Sequence, residues 1–293
     1  SGINHINPWI QASLFTQYDS NVVLLPNYGV ALPLDFSSKD SYGFVVVANG
    51  GVQSSPAKHW VLGTEAGLLY NMHLNYSLTE FDVIQGSWKG WINWWNLKDW
   101  SLKLTYDYTQ AWMDRKAFTF FQRQHGPVMS TTYFPFLRWN WELGTQLHFN
   151  TFATDLPTPN MNTRSGVSYM AYVKGSLISP TPRFRPSFTY RFEKEDSEGI
   201  NFQSNAHTFI VDSQFRMLEQ THLYGALSFT VMGFPSNIQV RQDLGSQLQL
   251  GVQHFFSPKF SGLIDLVNVV NSSTDRNFTY DRIVISTGVT FRN

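Results

Sequence analysis

The chain has 293 residues, no cysteine, and 21 basic against 21 acidic side chains. Balanced charge argues against a general nucleic-acid binder, which carries a basic excess. The lack of cysteine excludes a disulfide framework and thiolate metal sites.

Charged residues make up 14% of the chain, against roughly 25% in ordinary soluble domains, while aromatics reach 16%. A soluble protein needs charge on its outside. A lipid-facing wall needs apolar groups there, with aromatic girdles at both interfaces. Mean hydropathy is nevertheless slightly negative, at -0.22. No run of about 18 consecutive apolar residues is present, which argues against a helical membrane protein. Strands that place apolar and polar residues alternately on lipid and lumen reconcile these facts. The expectation is an all-β, transmembrane, antiparallel up-and-down β-barrel of about 14 strands, with 12–16 compatible. It forms a single domain over 1–293 in the outer membrane of a Gram-negative-type bacterium. No leader is visible at Ser1-Gly2-Ile3, so the chain reads as a mature or trimmed form.

Period-two alternation predicts strands near 8–18, 41–50, 58–72, 80–95, 99–112, 117–134 and 137–151. Further strands are predicted at 165–177, 183–193, 204–217, 221–232, 240–255, 259–270 and 278–291. The clearest runs from Arg138 to Asn150. Trp139, Trp141, Leu143, Thr145, Leu147 and Phe149 share one face, and Asn140, Glu142, Gln146 and His148 the other. It is longer than a usual strand of about 5–6 residues and fits a tilted membrane strand of about 9–11. The sixth strand is interrupted by Gly126-Pro127. The acidic run Glu193 to Gly199 reads as a solvated external loop.

Connections after even-numbered strands are mostly tight, and those after odd-numbered strands tend to be longer. Short periplasmic and long external connections are expected of these barrels, so both chain ends fall on the periplasmic side. Trp9, Trp60, Trp94, Trp95, Trp100, Trp139 and Trp141 all sit beside the chain start or a predicted periplasmic turn. Amphipathic rings prefer the headgroup level, so these residues are expected to form a membrane-interface belt.

The opposite strand faces carry the charge. Glu65, Lys103, Asp107, Arg138, Glu142, His148, Lys174, Arg185, Arg191, Asp212, Arg216, Arg241, Asp243 and Arg282 are expected to line the lumen, with Lys89 and Asp265. The bland reading is a salt-bridged interior that satisfies buried charge. The functional reading is a hydrated channel. Mixed signs with a mild basic bias predict at most a weak anion preference. Fourteen strands about 4.8 Å apart and tilted by about 40° give a backbone diameter of roughly 28 Å. Inner side chains reduce the bore to roughly 10–15 Å, enough for an extended polymer or small solutes.

No His has a Ser two positions on, and no Asp-x-His or Asp-x-Asp pair occurs. The eight His residues are scattered. No enzyme, cofactor or metal site is expected.

The segment Tyr18-Asp19-Ser20-Asn21-Val22 resembles the opening strand of barrels in outer-membrane proteins with periplasmic tetratricopeptide repeats. These include surface lipoprotein assembly modifiers and, by related architecture, exopolysaccharide exporters. The resemblance implies passage of a polymer or protein to the surface, with a periplasmic repeat domain or secretion partner. At the other end, Gly288 and Phe291 resemble the barrel-assembly signal, which implies contact with the assembly machinery. Asn293 departs from its terminal aromatic. The leading expectation is a translocation channel embedded among outer-membrane lipids and lipopolysaccharide. A non-pore adhesin, receptor or anchor, and a general diffusion porin, are the alternatives.

Overall fold

The computed structural model describes residues 6–24, 37–96, 99–134, 139–153, 160–177, 183–236 and 240–293. Its strands are β1 (Ile6–Asp19), β2 (Ser41–Ala57), β3 (Trp60–His73), β4 (Val83–Trp95), β5 (Trp100–Met113), β6 (Thr119–Tyr133), β7 (Trp139–Phe152), β8 (Gly166–Leu177), β9 (Phe184–Ser197), β10 (Ser204–Arg216), β11 (Thr221–Phe234), β12 (Arg241–Ser257), β13 (Phe260–Ser273) and β14 (Tyr280–Arg292). Each pairs antiparallel with its sequence neighbours. β1 pairs with β14 from Gln11↔Arg292 to Asp19↔Val284, closing the barrel. Closure leaves no edge strand, so backbone polar groups are satisfied within the wall, as a bilayer requires.

One row of each strand is apolar and exposed. Val211 and Ile264 are each 60% exposed, Leu143 55% and Phe209 54%. Burying such rows in water-free hydrocarbon is favourable, whereas a soluble protein rarely exposes contiguous apolar patches beyond a few hundred Å². The other row faces the lumen. Cross-strand partners share a face, so this row can be followed around the ring through Glu65↔Lys89, Lys89↔Asp107, Glu142↔Lys174 and Ser187↔Asp212.

The architecture matches the expected strand number, with four differences at particular segments. β2 runs past Gly50 to Ala57, with an irregularity between Ser54 and Ala57 opposite β3. Residues 80 and 81 belong to a short 3-10 turn, Tyr76–Phe81, because Asn75 Oδ1 accepts from the Ser77 N–H and redirects the chain. β6 continues through Gly126-Pro127 without a register shift at that point. Pro127 lacks an N–H to donate, so the pairs with β7 on either side, His125↔Phe149 and Val128↔Gln146, hold the strand. The acidic run is not all loop: β9 extends to Ser197 and pairs with β8 and β10.

The turns 58–59, 217–220 and 258–259 lie at one end, called here the short-turn end, and the longer connection 74–82 lies at the other, here called the long-loop end.

Candidate functional site in the barrel lumen

The described lumen candidates all lie on the inner row. Arg138 falls outside the described residues. Three zones follow one another along the axis.

At the long-loop end, charges are locked in place. Asp19 is fully buried at the β1–β14 seam. Arg282 donates to it through Nε, 3.0 Å from each carboxylate oxygen, and also through an Nη nitrogen. Asn21 N–H adds a bond to Asp19 at 3.0 Å. Two strands along the ring from β14, on β12, Arg241 Nε lies 3.3 Å from Asp243 Oδ1. Its guanidinium sits between the rings of Phe234 and Phe278, 3.5 and 3.8 Å from their centroids. Planar, weakly hydrated guanidinium suits such stacking.

A third cluster fastens the 3-10 turn to the wall. His73 Nδ1 lies 2.8 Å from Asp82 Oδ1, and Arg115 Nε lies 3.2 Å from Asp82 Oδ2. A histidine braced by a carboxylate is the orienting arrangement of hydrolases. Here His73 is 3% exposed and Asp82 fully buried, so the pair braces the loop and offers no surface to a substrate.

In the middle zone, side chains meet over glycines. Glu65 and Lys89 form a 3.1 Å ion pair. Asp107 on β5 meets His148 Nε2 on β7 at 2.6 Å, across Gly126 of β6. Tyr224 on β11 lies over Gly251 of β12 and donates its hydroxyl to Asp265 of β13 at 2.9 Å. A Cβ at Gly251 would fall 2.1 Å from the Tyr224 ring. Tyr172 covers Gly144 likewise and donates to Glu142 at 2.5 Å. Glycine here lets a ring lie against the wall.

Toward the short-turn end, Asn140, Lys174, Ser176, Arg185, Ser187 and Gln214 line a wall recess of about 630 Å³. Asp212 and Tyr224 also border it. The Ser187 hydroxyl donates to Asp212 at 2.5 Å. Lys103 lies 5.5 Å over the Trp91 ring.

The expected tryptophan belt is corrected at two positions. Trp60, Trp94, Trp100, Trp139 and Trp141 lie on the outer row. Trp9 pairs with Gly51, and its ring occupies the space a Cβ at Gly51 would take. Gly51 pairs with Glu65, so Trp9 is on the lumen row. Trp95 pairs with Ser101, on the row of Lys103, and is also inward. Position along the strand had suggested the belt, but strand parity sets the face. Phe291 points outward, and Gly288 faces inward, where Phe15 packs against it.

The inward run Glu193, Glu195 and Ser197 was missed because its charge density reads as loop. Its period-two spacing was the available signal. Asn150 on β7 donates to Glu195 at 3.1 Å across β8. No group of three or more metal-ligating side chains converges among the described residues.

No protein-family model matches this sequence. No curated protein matches it either. Solved structures do match. The outer membrane channel DcaP of Acinetobacter baumannii aligns with a TM-score of 0.59 at 7% identity, over 99% of this chain and 97% of that one. Outer-membrane expressed OmpT of Vibrio cholerae aligns at 0.54 and 9%, over 100% and 99%. A Pseudomonas aeruginosa FadL homologue aligns at 0.51 and 9%, over 97% and 90%. At these identities the likeness concerns the fold and does not speak to the tetratricopeptide-linked family. The chain has the closed antiparallel barrel fold of outer-membrane proteins.

Proposed function

We propose that this barrel is an outer-membrane channel passing polar solutes or an extended polymer between periplasm and cell surface. One observation carries the reading: an exposed apolar outer row encloses an inner row of charged, amide and hydroxyl side chains. Apolar groups outside suit lipid, and polar groups inside suit water. The Tyr172 and Tyr224 rings rest on the wall over Gly144 and Gly251, which suits an open bore. That DcaP is described as a channel supports the reading by analogy of fold.

The short-turn end is the periplasmic one in this reading, and the chain lies in a Gram-negative-type outer membrane. Outward-facing Phe291 is in position to serve an assembly signal, and outer-membrane lipids surround the wall. We favour transport over hydrolysis because both carboxylate-braced histidines among the described residues, His73 and His148, are buried. Export of a polymer or protein, with a periplasmic repeat partner, rests on the Tyr18 to Val22 resemblance.

Swelling of liposomes carrying the folded protein, in sugars of graded size, tests the channel. Uptake should fall off for solutes wider than roughly 10–15 Å. Absence of uptake at every size would favour an adhesin, receptor or anchor.

A further inference from the structure

We infer that the short-turn mouth is a binding site for oxyanions, and that the channel therefore selects solutes bearing carboxylate or phosphate groups. The inference rests on the channel reading above and names its substrate class. It comes from where the lumen charges lie. Within four residues of the short-turn strand ends, the inner row carries Lys103, Lys174, Arg185, Arg216 and Arg292, against Glu142 and Asp212. The corresponding zone at the long-loop end carries Asp19, Glu193, Glu195 and Asp243 against Arg241 and Arg282. The lumen is balanced as a whole but polarised along its axis.

The pairing pattern sharpens this asymmetry. Arg241 and Arg282 each have a carboxylate partner. Among the described residues, Lys103, Lys174, Arg185, Arg216 and Arg292 form no ion pair within 4.0 Å. Glu142 stands opposite Lys174 in the ladder, yet its bond is taken from the Tyr172 hydroxyl. Asp212, the carboxylate bordering the recess, accepts from Ser187. The cations of this mouth are thus left to solvent or to a passing anion.

The recess adds the geometry of a site. Lys174 and Arg185 share its wall with the hydroxyls of Ser176 and Ser187 and the amides of Asn140 and Gln214. Arginine offers a bidentate fork for carboxylate or phosphate. Hydroxyl and amide groups suit the rest of a polyhydroxylated solute. An excess of one sign inside low-dielectric walls focuses its potential on the pore and raises local counter-ion concentration.

Reversal potentials in planar bilayers under a potassium chloride gradient test the inference. The channel should favour chloride over potassium about threefold. The triple variant Lys174→Gln, Arg185→Gln, Arg216→Gln should bring that ratio to about one. The control Lys58→Gln, at the same end but in an exposed turn, should leave it unchanged. Cation selectivity in the unsubstituted barrel, or a triple variant that keeps the chloride preference, overturns the inference while leaving the channel standing. If no current flows at all, the permanently open channel fails instead. Calorimetric titration of pyrophosphate into the folded, detergent-solubilised barrel then decides the site. Binding weakened at least about tenfold in the triple variant supports it, and equal or undetectable binding in the unsubstituted protein overturns it.

Discussion

His148 Nε2 on β7 lies 2.6 Å from Asp107 Oδ1 on β5, although β6 runs between the two strands. The contact exists because the intervening inner position is Gly126, where a Cβ would come 1.9 Å from the Leu147 carbonyl oxygen. Three strands are thereby tied at a point where Pro127 withholds a backbone donor. Gly126→Val should destabilise the barrel by about 2–3 kcal/mol or prevent its insertion. Asp107→Ala should cost about 1–2 kcal/mol through the lost hydrogen bond. Urea unfolding from lipid vesicles, followed by tryptophan fluorescence, measures both. An unchanged midpoint for Gly126→Val would contradict the close approach of β6 and β7.

The β1–β14 seam closes the ring between the two ends of the chain, and Asp19 is buried beside it. Removing Arg282 leaves a buried carboxylate without its counter-charge. Breaking a buried pair costs about 3–5 kcal/mol, and Arg282 is 32% exposed at its side chain. A loss of about 2–3 kcal/mol is therefore expected for Arg282→Gln. Hydrogen exchange should show the β1 and β14 amides losing protection before those of β7 and β8. Uniform loss around the ring would mean that the seam is not the weak line.

Tyr224 and Gly251 separate a packing effect from a hydrogen-bond effect. Tyr224→Phe keeps the ring on Gly251 and removes the donor to Asp265, which retains Gln249 Nε2 at 3.1 Å. A loss of about 1 kcal/mol is expected. Gly251→Val lifts the ring into the bore, so single-channel conductance should drop while Tyr224→Phe leaves it nearly intact. Equal conductances for the two variants would show that the ring does not border the conducting path.

Neighbouring positions on β10 test the facing of the wall directly. Val211 points outward and is 60% exposed, and Ile210 lies on the inner row between Thr189 and Ser228. Val211→Arg should cost about 2–4 kcal/mol in a bilayer. Ile210→Arg should cost less than about 1 kcal/mol, because a lumen charge stays hydrated. Folding midpoints in vesicles measure the two, and equal costs would mean that the row assignment fails.

The barrel class, its strand number and the inner row were legible in the sequence. Alternation with period two is local, and a strand written as Trp139, Trp141, Leu143 against Asn140, Glu142, His148 has only one way to face both lipid and water. The tertiary structure alone decided which inner side chains meet. Asp107 reaches His148, and Tyr224 reaches Asp265, because a glycine from a third strand lies between them, and register around a closed ring is not written in any one segment. It also placed Trp9 and Trp95 inside, since strand parity puts them on the rows of Gly51 and Ser101. The axial sorting of charge has the same origin: counting sign along the chain gives balance, and only the antiparallel arrangement brings Lys103, Lys174, Arg185, Arg216 and Arg292 to one mouth.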